Sequence, residues 1–193
     1  MIKYLKQGWL VIVLGLIFGA TLAGVQKKLG PMIQQNQIDE INNQIPTLVP
    51  GADASKTEVD KALSAEMGSP VRKAFDGAGK QIGWVLRAAG PGYADTIEVL
   101  IGLDMQASKI TGVYVLSQKE TPGLGNKIVA KSWNKQYDGK TTTPPMTVVK
   151  YGVTPQGQQI EAISGATISP TCMTNIINLA IEKFTAIAPP ASN

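Results

Sequence analysis

The sequence contains no histidine and a single cysteine, Cys172. Without histidine the chain lacks the commonest general base, the commonest zinc ligand and any Ser-His or Cys-His nucleophile pair. One cysteine forms no internal disulfide and supplies no Cys-x-x-Cys motif for an iron–sulfur cluster, haem attachment or structural zinc. We therefore expect no metal site and no catalytic residues, so redox chemistry on this chain requires an organic cofactor.

The chain also carries only a small excess of positive over negative charge. The chain has 18 Lys and Arg against 14 Asp and Glu, a net charge of +4. A nucleic-acid-binding domain concentrates far more basic charge on one face, so we expect no nucleic-acid partner. The hydrophobic fraction of 44% is sufficient for a folded core, which excludes global disorder.

An uncharged and largely apolar segment runs from Gln7 to Gln26, with lysines on both sides of it. Roughly 20 helical residues cross about 30 Å of hydrocarbon. A cleaved signal peptide is the alternative, but Thr21-Leu22-Ala23 is a poor cleavage site and no cysteine follows for lipidation. The basic N-terminal residues Lys3 and Lys6 favour a cytoplasmic N-terminus and an exported remainder. We predict a cytoplasmic tip and transmembrane anchor over residues 1–30, in contact with membrane lipid.

The remainder of the chain divides into a linker and a domain. Gly30-Pro31 is predicted to end the first helix, which makes residues 31–55 a stalk or linker. A helix beginning at Thr57-Glu58 then opens a domain over residues 56–193. Alternating apolar residues predict antiparallel strands, and Asn126–Gln136 has a helical pattern. The fold class is therefore α+β, an antiparallel sheet with flanking helices behind one transmembrane helix. The predicted strands are Val71–Phe75, Ile82–Leu86, Thr96–Asp104 and Ile110–Leu116.

A helix near the C-terminus follows the small-residue motif Ser164-Gly165-Ala166-Thr167. Ser169 and Pro170 match an N-cap followed by proline at the first helical position. Thr167 would then lie just outside a helix N-terminus, where free N–H groups and the helix dipole favour an anion. Two interpretations stay open from these residues: a tight turn before a capped helix, or a phosphate attachment point at Thr167. Apolar residues spaced by three and four predict one buried stripe: Met173, Ile176, Ile177, Ala180, Ile181 and Phe184.

A second glycine-rich loop, Glu120-Thr121-Pro122-Gly123-Leu124-Gly125, follows the last predicted strand. Proline followed by glycine is typical of a turn. The glycines on either side of Leu124 would let backbone amides approach a flat ligand while Leu124 supplies an apolar contact. A plain strand-to-helix connection explains the same residues equally well.

The ETPGLG motif is followed about forty residues later by the SGAT motif, and one N-terminal span precedes both. In this arrangement the chain resembles the FMN-binding subunits of bacterial redox-driven ion pumps. These are the G subunit of the Rnf complex and its relative, the C subunit of Na⁺-translocating NADH:quinone reductase. The resemblance covers the chain from the anchor onward, including the strand in GYADTIEVLIGLD, and the chain length is closer to that of the Rnf protein.

The resemblance implies FMN joined covalently through its phosphate to Thr167 by a flavin transferase. Ser164, Gly165 and Ala166 would form the recognition turn and phosphate cradle, and Glu120, Thr121, Pro122, Gly123, Leu124 and Gly125 would line the flavin ring. The chain would relay electrons in an ion-translocating ferredoxin:NAD⁺ oxidoreductase, without a complete active site of its own. Its partners would be the A, B, C, D and E proteins of the Rnf complex. It would lie in the bacterial cytoplasmic membrane with the FMN domain on the periplasmic or extracellular side.

Three alternatives stay open at this point. The chain could be the corresponding component of Na⁺-translocating NADH:quinone reductase. It could be a membrane-anchored module that holds flavin or another phosphate ligand without passing electrons. It could also be an assembly protein with an empty pocket.

Overall fold

The computed structural model describes residues 2–188, except for the side chains of residues 2–7 and 34. The predicted flanking residues Lys3 and Lys6 therefore lie outside the described side chains. The chain divides into two compact units, one ending at Glu40 and the other beginning at Ile41.

The first unit consists of the N-terminal part of a long helix, α1 (Ile2–Leu48). Large apolar side chains such as Leu10, Phe18 and Leu22 are exposed along it. Among the described residues, α1 is the one helix long and apolar enough to cross a bilayer, with a mean hydropathy of 2.2 in its most apolar part. Length and composition thus agree with the predicted span.

The prediction that Gly30-Pro31 ends this helix is wrong, because α1 continues to Leu48. Proline in a helix interior removes one hydrogen bond and costs about 3 kcal/mol. The residues after Pro31 offset this cost through burial, since Ile41, Ile45 and Leu48 are buried in the second unit. Packing therefore begins at Ile41, within the segment predicted as linker.

The second unit is built on an antiparallel sheet, which confirms the predicted fold class. Its five strands lie side by side in chain order. Two further strands form a small parallel pair. The strands of the main sheet are β1 (Glu58–Val59), β2 (Val71–Phe75), β3 (Gln81–Pro91), β4 (Thr96–Asp104) and β5 (Ile110–Ser117), and those of the pair are β6 (Thr147–Val149) and β7 (Gln159–Glu161).

Helix α2 (Lys61–Met67) begins later than predicted, because Glu58 and Val59 pair with β2 as a strand. Asp60 is its N-cap, and its carboxylate accepts the N–H of Leu63 at 3.0 Å. The predicted helical segment Asn126–Gln136 forms three short helical pieces: Gly125–Val129, α3 (Lys131–Asn134) and Lys135–Tyr137.

The last helix, α4 (Ile168–Ile187), covers one face of the sheet. All six residues of its predicted apolar stripe are buried, which confirms the stripe. A separate apolar cluster joins the end of α1 to the sheet through Leu48, Val85 and Leu100. At Gly102 a side chain would collide with the Leu48 carbonyl, so the close approach of α1 requires glycine there. The sheet is thus covered by α4 on one face and by the end of α1 on the other.

Candidate functional site

A cavity of about 390 Å³ lies where three loops meet at the start of α4. One loop is the predicted ETPGLG loop, the second is the SGAT turn, and the third connects β3 to β4. The residues that line the cavity are Tyr93, Thr121, Leu124, Gly125, Gly165, Ala166, Thr167, Ile168 and Ser169. The two motifs that the sequence singled out thus contribute to one cavity, although about forty residues separate them.

The SGAT motif forms a tight turn between β7 and α4. The N–H of Ala166 donates to the Ile163 carbonyl at 2.9 Å. Gly165 has a φ of +75°, a left-handed conformation that glycine adopts without steric cost. A side chain at Gly165 would also lie 3.1 Å from the Cδ2 atom of Leu124. Glycine here therefore allows the SGAT turn and the ETPGLG loop to approach each other.

Thr167, and not Ser169, is the N-cap residue of α4, so the predicted cap position is wrong. The Thr167 side chain makes no capping hydrogen bond, while its carbonyl accepts the N–H and the hydroxyl of Thr171. Ser169 lies inside the first turn of α4 and is buried. Its hydroxyl donates to the buried carboxylate of Glu120 and not to the backbone of the helix start. This long-range contact replaces the local cap that the sequence suggested.

The start of α4 provides unpaired hydrogen-bond donors beside Thr167. Within the described part of the chain, the backbone N–H groups of Ile168 and Ser169 have no hydrogen-bond partner. Pro170, also in the first turn, has no N–H to donate. Two free donors and the positive end of the helix dipole favour a negatively charged group next to the Thr167 hydroxyl.

The ETPGLG loop is a compact turn. The Thr121 carbonyl accepts the N–H groups of Leu124 and Asn126, each at 3.2 Å. Gly123 has a φ of +76°, in agreement with the predicted proline–glycine turn. Leu124 remains 41% exposed and lines the cavity, so its apolar side chain is available to a ligand.

Glu120 has a different position from the one expected, because it does not line the cavity. It is only 4% exposed. One carboxylate oxygen accepts the N–H groups of Tyr93 and Ala94, at 3.0 and 3.1 Å. The other accepts the hydroxyl of Ser169. Glu120 therefore connects the ETPGLG loop, the β3–β4 loop and α4 from behind the cavity wall.

Three other predicted site residues lie outside the cavity lining. Ser164, Pro122 and Gly123 are exposed on the turns that carry the lining residues. Conversely, sequence reasoning missed Tyr93 and Ile168 and assigned Ser169 only as a helix cap, although all three residues line the cavity. The available signal for Tyr93 was an aromatic residue in the glycine- and proline-rich turn GPGYAD. Ile168 directly follows the SGAT motif.

The cavity is suited to binding a ligand with a flat apolar part and an anionic group, and among the residues that the structure describes no acid–base pair lines it. Cys172, on the first turns of α4, is half-buried. Burial raises the pKa of the Cys172 thiol, and the nearby charge of Glu120 raises it further. A thiol with a raised pKa is a weak nucleophile, and the Cys172 side chain packs against the main apolar cluster.

A match to a known protein family spans all the residues that line the cavity. Residues 92–182 match the family described as FMN-binding domain. The chain is 29% identical, over 93% of its length and 90% of the relative, to the G subunit of the Na⁺-translocating ferredoxin:NAD⁺ oxidoreductase complex of Acetobacterium woodii. It is 27% identical to the G subunit of the ion-translocating oxidoreductase complex of Methanosarcina acetivorans, over 88% of this chain and 86% of that protein. It is 28% identical to the G subunit of the ion-translocating oxidoreductase complex of Aliivibrio fischeri, over 94% of this chain and 90% of that protein.

Two solved structures share the fold. The crystal structure of Shewanella oneidensis NqrC aligns with a TM-score of 0.55 at 23% identity, over 70% of this chain and 72% of that one. The C subunit of the Na⁺-translocating NADH-quinone reductase of Parabacteroides distasonis aligns with a TM-score of 0.57 at 18% identity, over 78% and 93% of the two chains.

Proposed function

We propose that this chain, a homologue of the G subunits of ion-translocating oxidoreductase complexes with an FMN-binding domain over residues 92–182, relays electrons through a covalently bound FMN. One observation carries the proposal. The Thr167 residue lies at the start of α4, in the same cavity as the ETPGLG loop, with no capping bond to occupy its hydroxyl.

Thr167 is the proposed attachment residue, through an ester between its hydroxyl and the FMN phosphate. The resulting phosphodiester keeps one negative charge. The free N–H groups of Ile168 and Ser169 and the dipole of α4 stabilise that charge. Gly165 leaves the approach to the phosphate open, and the exposed residue Ser164 is accessible to a flavin transferase.

The flavin ring fits the remaining space. A cavity of about 390 Å³ lies within the usual size range of ligand sites, roughly 300–1,000 Å³. Leu124 provides apolar contact, and Thr121 and Gly125 bring backbone to the cavity surface. At Gly125 a side chain would come within 3.0 Å of the Ser169 hydroxyl oxygen, so this part of the cavity wall has room only for glycine.

Bound FMN supplies the acceptance and release of single electrons. The chain's own residues bind and orient the cofactor. Leu124 and Ile168 restrict water at the cavity with apolar surface, and Glu120 keeps the surrounding loops together. No protein group has to exchange a proton with a substrate, which agrees with an electron relay.

We place the chain in a membrane complex of the same kind as its relatives. The Acetobacterium woodii protein belongs to a Na⁺-translocating ferredoxin:NAD⁺ oxidoreductase complex, and the partners proposed here are the other proteins of such a complex. Helix α1 would hold the chain in the bilayer and contact lipid, with the FMN domain on the periplasmic or extracellular side. Protease digestion of sealed vesicles of known orientation tests this side, since an outside domain is cleaved without lysis.

The attachment is tested by replacing Thr167 in cells that contain a flavin transferase. Thr167→Ala should abolish flavin fluorescence of the denatured chain in a gel. Thr167→Ser, which keeps a hydroxyl, and Thr154→Ala, at an exposed threonine outside the cavity, should retain it. Persistent fluorescence in Thr167→Ala contradicts the assignment. Flavin that is present in the folded wild-type protein but lost on denaturation would favour noncovalent binding.

A further inference from the structure

The cavity has an aromatic wall that neither motif contains. Tyr93 is 64% exposed and lines the cavity together with Leu124 and Gly165. A large exposed aromatic ring at the surface of a ligand cavity provides a flat apolar contact area. Tyr151 is exposed to the same extent, 64%, but lies outside this cavity, so it is a matched control.

The backbone of Tyr93 is held in place from behind the cavity. The N–H groups of Tyr93 and Ala94 both donate to the same carboxylate oxygen of Glu120, at 3.0 and 3.1 Å. The N–H of Gly92 donates to the Asp95 carbonyl at 2.9 Å and closes the turn. A side chain at Gly92 would come within 3.0 Å of the same Glu120 oxygen, so this approach requires glycine.

The second oxygen of Glu120 fixes this loop to the helix that begins beside Thr167. It accepts the hydroxyl of Ser169, in the first turn of α4. A carboxylate that is 4% exposed loses its hydration, and three donors from two other segments replace the lost water. One side chain thus sets the position of Tyr93 relative to the N-terminus of α4.

We propose that Tyr93 packs its ring against the flavin ring of FMN held at Thr167, and that Glu120 is the positioning residue that keeps Tyr93 there. This inference rests on the proposed function, since it concerns the same cavity and cofactor. Glu120 itself touches neither the cofactor nor the reacting atoms. Its role is to hold the backbone N–H groups of the β3–β4 loop.

Flavin fluorescence of the folded protein tests this contact without measuring the activity of the complex. A tyrosine ring in contact with an excited flavin transfers an electron to it and then receives the electron back, which quenches emission. Emission is measured per bound flavin in the folded full-length protein, and again after denaturation. The second measurement reports attachment alone, because denaturation removes the contact.

Tyr93→Leu should raise the emission of the folded protein several-fold and leave that of the denatured chain unchanged. Tyr151→Leu should match the wild type in both measurements. Glu120→Ala should raise the emission as Tyr93→Leu does, because the β3–β4 loop loses its anchor. Glu120→Gln should restore quenching, since its amide oxygen can accept the two N–H groups and its NH₂ can donate to the Ser169 hydroxyl.

Unchanged emission in Tyr93→Leu, with flavin still bound, overturns the contact while leaving the proposed function intact. Quenched emission in Glu120→Ala, or bright emission in Glu120→Gln, overturns the positioning role. Flavin that the wild type loses on denaturation contradicts the covalent bond to Thr167, but the folded-state comparison still tests Tyr93. A wild-type protein without any flavin removes both proposals.

Discussion

Replacing Gly125 by alanine should destabilise the FMN domain through one buried contact. The new Cβ atom would lie within 3.0 Å of the Ser169 hydroxyl oxygen, and 3.1 Å from an oxygen of Glu120. The hydroxyl must therefore rotate away, which breaks its hydrogen bond to Glu120. Overpacking costs about 1–3 kcal/mol, and a buried charged group that loses a hydrogen bond costs about 1.5–3 kcal/mol. Since the rotation partly relieves the overpacking, we expect a loss of about 2–4 kcal/mol in the free energy of unfolding.

The assay is urea unfolding of the full-length protein in detergent micelles, followed by tryptophan emission. Gly77→Ala is the matched control, because a Cβ at Gly77 meets no atom within 4 Å and its φ is not positive. We expect the control to remain within about 0.5 kcal/mol of the wild type. A Gly125→Ala protein as stable as this control would refute the claim that the Ser169–Glu120 contact leaves no room for a methyl group.

Two further changes test interactions elsewhere in the domain by the same unfolding assay. Asp60→Ala should cost about 1 kcal/mol at neutral pH, because the N-cap of α2 is lost. The Lys73 ammonium lowers the pKa of the Asp60 carboxyl below its usual value of 3.8, and the hydrogen bond from the Leu63 N–H lowers it further. The contribution of Asp60 to stability is therefore fully present above pH 3.8. This contribution is lost as the pH falls through the folded-state pKa. A difference in unfolding free energy between Asp60→Ala and the wild type that persists below that pKa would contradict this reasoning. Tyr137→Phe should cost about 0.5–1.5 kcal/mol, since it removes a buried hydrogen bond of 2.8 Å to Thr174, which keeps its bond to Pro170. An unchanged stability would mean that this hydroxyl contributes nothing.

The sequence predicts those elements whose periodicity is local. The alternating apolar residues of β4 and the stripe of α4 lie in one apolar cluster, and both patterns are present in the structure. The alternation does not show that Leu100, on the other face of β4, is also buried, against the end of α1. The end of α1 was not predictable in this way. Pro31 is a local signal to stop, whereas the burial of Ile45 and Leu48 against the sheet is a tertiary effect that overrides it.

The candidate site shows the same division between local and long-range effects. Turn chemistry identified both motifs, because Gly165 and Gly123 adopt the left-handed conformations that glycine permits. The shift of the α4 cap from Ser169 to Thr167 depends on Glu120, which is distant in sequence. The position of Tyr93 depends on the same carboxylate, so neither feature can be derived from the residues around it.

The intact mass of the denatured wild-type chain tests the covalent electron-carrier account most directly. The protein is purified from cells with an active flavin transferase, unfolded, and compared with Thr167→Ala prepared in the same way. We predict that the wild type carries the added mass of one FMN less one water and that Thr167→Ala has the mass of the polypeptide alone. A wild-type chain at the unmodified mass, or the same added mass on both chains, would contradict the assignment of Thr167.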